Sequence, residues 1–336
     1  MKVRFWLILF FGLTFGLEFL SLKMDEFNDW GKDAGFSGRT WRQVEVRRDL
    51  NISHNLFTPR IVESDRYGNV YILDYGDLKV KKFSASGKFA LEFGRGKGQG
   101  PGEFINPTDI KVDDEFNLWV SDVCNVKVVV FDKGGKLYKE FKLSAIPFRI
   151  APIRGGGFVV QEIMEFKRYD ANGRGLFGFK DEFILKKFDN PLFWSSYLRI
   201  DSLFLYCFLY DIGYLVCMDL KDGSVRYRVK IVDAPPPPEI VLMELKGAKV
   251  SKVVRKGDSF AVGFNVLGDK IFLHFAEIDD KGKKSDFTIV DVYSSFDGRY
   301  LYSFKIPEKF NRGYFDGRYY YGVKDTVVSK WEVLLK

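Results

Sequence analysis

Three features of the sequence together predict an all-β chain whose short antiparallel meanders are set radially, as the blades of a propeller. The first is composition: of 336 residues, 34 are Phe and 17 are Tyr, and aromatic side chains suit the pleated, half-buried surface of a sheet. The second is an internal repeat, which fixes an architecture more firmly than any local pattern. Two stretches align without a gap at an offset of 48 residues: Pro59 falls on Pro107, Asp65 on Asp113, Asn69 on Asn117, Asp74 on Asp122, Lys79 on Lys127, Phe83 on Phe131, Gly87 on Gly135 and Phe93 on Phe141. The third is the spacing of turn residues, which cuts each unit into four short strands. One such meander cannot bury both its faces. Several arranged around an axis can, with large apolar side chains filling the gaps between them.

In the second unit the strands are expected at Asp109–Val112, Leu118–Ser121, Val126–Phe131 and Leu137–Phe141. They are separated by Asp113-Asp114, by Asp122 to Asn125 and by Gly134-Gly135. A third copy runs from Pro147 to Phe179. Leu198 to Val232 supplies a fourth meander, with the turn Lys221-Asp222-Gly223. Val250 to Ile306 supplies a fifth, with the turn Phe296-Asp297-Gly298 and an insertion near Asp279–Lys284. Arg312 to Leu335 offers only three strands: one ending near Phe315, then Arg318–Val323 and Val327–Leu335. The fourth is available at the other end of the chain, in Trp41–Leu50. The expectation is therefore a six-bladed β-propeller closed by its N-terminal strand, over residues 41–336. Seven blades is the alternative, if the insertion is itself a blade.

The stretch from Gly94 to Phe141, GRGKGQGPGEFINPTDIKVDDEFNLWVSDVCNVKVVVFDKGGKLYKEF, resembles the NHL repeat. It carries the Gly-rich linker, Gly-Glu-Phe, the Pro before the inner strand, the Asp closing the second strand and the aromatic-Asp-x-x-Gly turn. Pro59 to Phe93 is a weaker copy, departing at Ser84 where the family has Asp. The resemblance implies a six-bladed propeller like those of exported bacterial proteins. It also brings an enzymatic alternative, a divalent-cation-dependent hydrolase or lyase similar to gluconolactonase-like propellers. Peptidyl-hydroxyglycine lyases resemble the repeat too, but rely on several metal-binding His residues that this chain lacks.

At the N-terminus, Lys2 and Arg4 precede a 13-residue apolar run, Phe5 to Leu17. A signal-peptide core needs roughly 7–15 apolar residues after a basic start, whereas a bilayer-spanning helix needs about 20. Residues 1–22 are thus expected to be an export signal or, alternatively, an uncleaved anchor, followed by a linker over 23–40. Membrane contact is expected only through that segment. The net charge of +7 is spread without blocks of like sign, so a nucleic-acid partner is not expected. Three cysteines do not make a disulfide framework. If Tyr210 faces Tyr214 across a three-residue turn, Cys207 sits opposite Cys217; the two then either bond or pack as buried thiols.

Candidate sites follow by elimination. The Gly94–Gly102 stretch lacks the Lys-Ser/Thr and following helix of a phosphate loop. With only His54 and His274 in the chain, a His-built zinc site or a Ser-His-Asp triad has little to draw on. No catalytic or metal-ligating residue and no cofactor is assigned, although calcium, which needs only oxygen ligands, is the cation an enzymatic reading would take. Asp74 and Asp122 read as caps of turn amides. Basic residues recur near the start of inner strands: Arg60, Arg149, Arg199, Lys252 and Arg312. The second blade breaks the series with Thr108 and Asp109. Such a ring would make a positive, anion-focusing mouth, provided that strand alternation does not turn some of the residues away. Trp194 and Tyr197 lie in one long connection, where exposed aromatics would form a recognition surface, although burial between blades is the expected role of Trp194. Asp233–Gly247 forms another, where Pro238 is expected to open a short amphipathic helix. The candidate ligand contacts are thus Arg60, Asp109, Arg149, Trp194, Tyr197, Arg199, Lys252 and Arg312. The expected role is a monomeric binding module for a protein, peptide or glycan; the basic residues either focus an anionic ligand at the mouth or are taken up in scattered salt bridges and surface charge.

Overall fold

The computed structural model describes residues 39–236, 239–245, 248–254, 259–278 and 284–335. Six four-stranded antiparallel sheets form the blades. The first four take their strands in sequence order: Pro59–Ser64 to Phe89–Phe93, Pro107–Val112 to Leu137–Lys142, Arg149–Pro152 to Gly175–Phe179, and Ser196–Ile200 to Val225–Lys230. Blade 5 runs from Ser259–Leu267 to Tyr300–Ile306. Blade 6 has Arg312–Phe315, Tyr319–Lys324 and Val327–Leu334, and takes its outer strand, Glu45–Ile52, from the other end of the chain. That strand lies antiparallel to Val327–Leu334, with Glu45 opposite Leu334 and Ile52 opposite Val328. Trp41, expected at its start, instead bridges Ser303 on blade 5.

The inner strands touch their neighbours in ring order, and the inner strand of blade 6 meets that of blade 1. Each interface between blades holds one apolar cluster. Leu73 and Phe93 meet Ile110 and Phe131 between blades 1 and 2. Trp119 and Phe141 meet Phe158 between blades 2 and 3. Tyr321 and Val328 meet Val62 and Ile72 at the closing seam. A second strand such as Leu118–Asp122 is buried on both faces, because alternate residues serve two different clusters. This is why it reads as a continuous apolar run.

Two expectations fail for local reasons. Asp233–Gly247 holds no described helix: Glu239–Leu245 pairs with Ala248–Val254 as a hairpin outside the blades. Two β-branched runs so close in sequence pair with each other, and blade 5 starts only at Ser259, so Lys252 is not on an inner strand. The blade count stays at six. The second correction concerns the cysteines. Leu209 pairs with Tyr214, leaving a four-residue loop, so Cys207 faces Val216 and Cys217 faces Tyr206. One residue of register moves a side chain to the other face. Cys207 therefore lies in the cluster between blades 3 and 4 and Cys217 in that between blades 4 and 5, both as free thiols. Burial pushes the Cys217 thiol up to about 12. A short helix, Glu182–Lys187, not foreseen in the sequence, joins blades 3 and 4 and is capped by Asp181, which accepts from Phe183 N and Ile184 N.

The signal or anchor expected over residues 1–22 lies outside the described residues, as does nearly all of the 23–40 linker. Among the described residues no helix is long and apolar enough to cross a membrane.

Candidate functional site

The inner strands enclose a central cavity of about 250 Å³. Its wall carries Arg60, Glu63, Tyr75, Thr108, Asp109, Lys111, Arg149, Tyr197, Arg199 and Arg312, with Gly263 and Gly313 completing the ring. Five cationic side chains thus face two carboxylates. Arg60, Thr108, Arg149 and Arg312 stand at the N-terminal ends of their strands, where the connections between blades arrive.

Alternation along a strand would turn either Arg60 or Arg149 away, since they stand one position apart relative to their prolines. The backbone removes this conflict. Pairing slips by one residue between Pro59 and Ile61 in blade 1 and between Pro107 and Asp109 in blade 2. In blade 3 it is unbroken from Arg149 onwards. A bulge re-aims a side chain, and here it brings Arg60 and Thr108 to the mouth that Arg149 reaches in regular register.

The deeper wall is internally neutralised. Glu63 accepts from Arg199 Nη2 at 2.7 Å and lies 3.3 Å from Lys111 Nζ; Lys111 Nζ also meets Asp109 at 2.7 Å. Burial and the charge of Arg199 push Lys111 below the usual lysine range, against the pull of Asp109 and Glu63. The outer wall is not neutralised. Arg149 donates from Nε to Ser196 O at 2.6 Å and from Nη1 to Thr108 O at 2.6 Å, so two neighbouring blades fix its guanidinium. Burial works against its charge, but Asp109 foremost outweighs that and holds it above the usual arginine range. Arg60 lies over the Tyr75 ring, 5.7 Å from its centroid. Arg312 donates to the carbonyl of Asn311 at 2.7 Å. Among the described residues, none of these three guanidiniums forms an ion pair with a carboxylate. All three reach Tyr75 electrostatically; burial nonetheless holds its phenol above the usual range. Tyr197 is likewise raised by burial. Both tyrosines are therefore neutral hydrogen-bonding groups.

A divalent cation does not fit this wall. Its two carboxylates are already held by Lys111 and Arg199, and three guanidiniums crowd the opening. Among the described residues no group of three or more His, Cys, Asp or Glu side chains is placed to hold a metal.

Of the eight residues singled out in the sequence, Arg60, Asp109, Arg149, Tyr197, Arg199 and Arg312 line the cavity. Trp194 does not: it is buried, and its indole N–H donates to Phe188 O at 3.0 Å. Lys252 belongs to the separate hairpin. Sequence reasoning missed Glu63, Lys111 and Tyr75. The first two had a signal, since they are equivalent positions of the 48-residue repeat with opposite charge. It also missed why the wall is glycine in blades 5 and 6. A Cβ on Gly313 would lie 1.8 Å from Tyr320 Oη, and one on Gly263 2.4 Å from His274 Nδ1.

Asp74 and Asp122 serve structure. Asp122 accepts from Ile105 N, Asn106 N, Cys124 N and Asn125 N at 2.8–3.3 Å, tying the incoming linker to the end of the second strand. Asp74 does the same for Phe57 N and Thr58 N.

Fold and site together define a six-bladed propeller with a polar, ligand-sized cavity on its axis. Residues 59–233 match the model of a family described as a 6-bladed beta-propeller, and the chain belongs to that family. No curated protein matches it in sequence. Among solved structures it is similar to a protein from Bacteroides fragilis described as exported, at 11% identity over 88% of this chain and 95% of that one, with a TM-score of 0.54. It is also similar to virginiamycin B lyase from Staphylococcus aureus, at 12% identity over 86% of this chain and 99% of that one, with a TM-score of 0.54. At such identities these likenesses show the fold alone.

Proposed function

We propose that this chain is an exported propeller of the NHL kind that acts as a binding module. It takes a protein, peptide or glycan ligand on the face where the connections between blades enter. The observation that carries this reading is the axial cavity of about 250 Å³, with side chains from several blades converging on one opening. A concave site with a few convergent polar groups is the usual form of a ligand pocket. Its walls offer no activated nucleophile: the tyrosines are held neutral by burial, and both carboxylates are committed to cations. The cation-dependent hydrolase or lyase reading gains no support from such a wall. Export is supported by the basic start and 13-residue apolar run of the sequence, and agrees with the description of a neighbour of the same fold as exported.

Two experiments test this. Cell fractionation with N-terminal sequencing of the recovered protein should place it outside the cytoplasm; a cytoplasmic chain that keeps Met1 refutes export. Screening the purified chain against arrays of soluble glycans and peptides should find binders that Tyr197→Ala abolishes. Binders indifferent to Tyr197→Ala put the ligand elsewhere. A stoichiometric divalent cation retained by the purified protein would overturn the non-enzymatic reading.

A further inference from the structure

The geometry points to an oxyanion site at the channel mouth: Arg60, Arg149 and Arg312 receive the carboxylate or sulfate of a small organic acid, about the size of one acidic sugar residue. This rests on the binding role proposed above and names the ligand chemistry of that site.

Deeper in the cavity every cation has an anionic partner: Arg199 and Lys111 share Glu63, and Lys111 also holds Asp109. At the mouth the pattern stops. Three guanidiniums act on the same Tyr75 phenol; the one carboxylate that also reaches it, Asp109, is hydrogen-bonded to Lys111, and none of the three guanidiniums is ion-paired among the described residues. Like charges gathered in a concave, partly desolvated site repel one another more strongly than they would in water, and an incoming anion relieves that repulsion.

The donors are available and partly pre-set. Arg149 spends Nε and Nη1 on the carbonyls of Ser196, Thr108 and Phe148. Its plane is thereby fixed across three blades, and Nη2 remains for a ligand. Arg312 spends only Nη1, on its neighbour's carbonyl. Arg60 makes no hydrogen bond among the described residues and rests on the Tyr75 ring. A guanidinium presents a planar fork that matches a carboxylate or sulfate edge. Because Arg149 is already immobilised, less ordering is needed on binding.

Size sets the class. Sites for drug-sized ligands usually span about 300–1,000 Å³; this cavity, at about 250 Å³, suits a smaller body. A second depression of about 180 Å³ adjoins it, lined by Thr58, Pro59, Arg60, Asn311, Arg312, Val323 and Asp325. Arg60 and Arg312 belong to both walls. The ligand's charged group therefore sits between these two arginines, and any further residues of it run outward over the seam between blades 6 and 1.

The test is isothermal titration of the full chain at low ionic strength with sodium D-glucuronate, D-glucose and sodium sulfate. Glucuronate should bind, weaken as sodium chloride rises, and be displaced by sulfate, while glucose should give no heat. Arg60→Gln and Arg312→Gln should each weaken glucuronate about tenfold, the loss of one charge-assisted hydrogen bond. Arg318→Gln, on an exposed turn of the same blade where it pairs with Glu332, should change nothing. Sulfate as strong as glucuronate would identify the anion itself as the recognised group; glucuronate stronger than sulfate would show that the organic body adds contacts. Both results support the site. It is overturned if neither anion binds up to tens of millimolar, or if Arg60→Gln and Arg312→Gln bind like the parent. Should glucose or a neutral glycan bind, with Tyr197→Ala abolishing it and the arginine variants not, the binding face stands and the oxyanion site falls.

Discussion

His274 should make this propeller acid-labile well above the range in which carboxylates titrate. It lies in the second strand of blade 5, paired with Gly263 and Val290, and is fully buried. The Tyr320 ring is 5.2 Å away, and neither ring nitrogen makes a hydrogen bond of ordinary geometry. Burial first, and the charge of Arg199 in addition, push its pKa from 6.5 down to about 3, against the pull of the Gly313 carbonyl. In the unfolded chain the same imidazole takes up a proton near its ordinary value. Between pH 6.5 and 3 the unfolded state therefore binds more protons than the folded one, and stability falls as the pH falls. A depression of that size is worth about 2 kcal/mol at pH 5 and about 5 kcal/mol below pH 3. His274→Phe keeps a ring in the slot and removes the proton site. Urea unfolding of both proteins at pH 8, 6 and 5 separates this effect from the carboxylates, whose contribution is common to both. The parent should lose about 2 kcal/mol more than the variant between pH 8 and pH 5. Parallel curves across that interval would show that His274 is either already paired or not buried, and would refute the reasoning.

Asp122→Ala leaves four backbone N–H groups and the Asn125 amide without their acceptor. At about 1 kcal/mol for each group stranded, it should cost about 3–5 kcal/mol in chemical denaturation. Asp132→Ala, which frees only Gly134 N and Lys136 N on an exposed turn, should cost about 1 kcal/mol; equal losses would contradict the stitching role. Gly263→Ala brings a methyl to 2.1 Å from the carbonyl oxygen of Gly313, a backbone atom that cannot swing aside. It should destabilise by about 1–3 kcal/mol, whereas Gly134→Ala, whose methyl would meet only the Asp132 carboxylate at an ordinary contact of 3.4 Å, should be nearly silent. In the native protein a thiol reagent should titrate Cys124 alone, because Cys207 and Cys217 are buried. All three should react after unfolding without reductant; a disulfide would leave only one.

The repeat made the fold legible because each blade must satisfy the same local demands. Asp65 and Asp113 directly follow inner strands and accept from Asn69 N and Asn117 N, four residues on. Asp74 and Asp122 end second strands and hold the incoming linkers. Such side chains write their geometry into the sequence at fixed spacing, so strand positions in the second unit emerge almost residue for residue. Elsewhere the signal is ambiguous for a physical reason. Glu239–Leu245 carries β-branched and long apolar residues together, and helix or strand is decided only by whether a partner strand is at hand. Ala248–Val254 provides one. The Cys207 error has the same character: apolar residues on both faces of a strand buried on both sides carry no phase, so nothing in the sequence distinguishes a three-residue loop from a four-residue one.

The channel mouth shows how far a positional argument reaches. Basic residues near the start of inner strands were visible in the sequence, yet counting from the prolines put Arg60 and Arg149 on opposite faces. The bulges at Pro59/Ile61 and Pro107/Asp109 resolve this. They are themselves consequences of the prolines, which cannot donate to a ladder and so sit at strand starts or at irregular pairings. In blade 2 the same bulge presents Thr108 at the mouth, with Asp109 in the next, regular position. That Asp neutralises Lys111 below while lying near enough to Arg149 to favour its charged form. One acidic residue thus separates a neutral floor from a cationic rim. Without it, Lys111 would keep its shared contact with Glu63 and its bond to the Ile110 carbonyl, and burial and Arg199 would favour its neutral form still more. The excess positive charge at the rim is therefore a property of how two blades differ, not of any one repeat. It is the part of the molecule that the repeat alone could not predict.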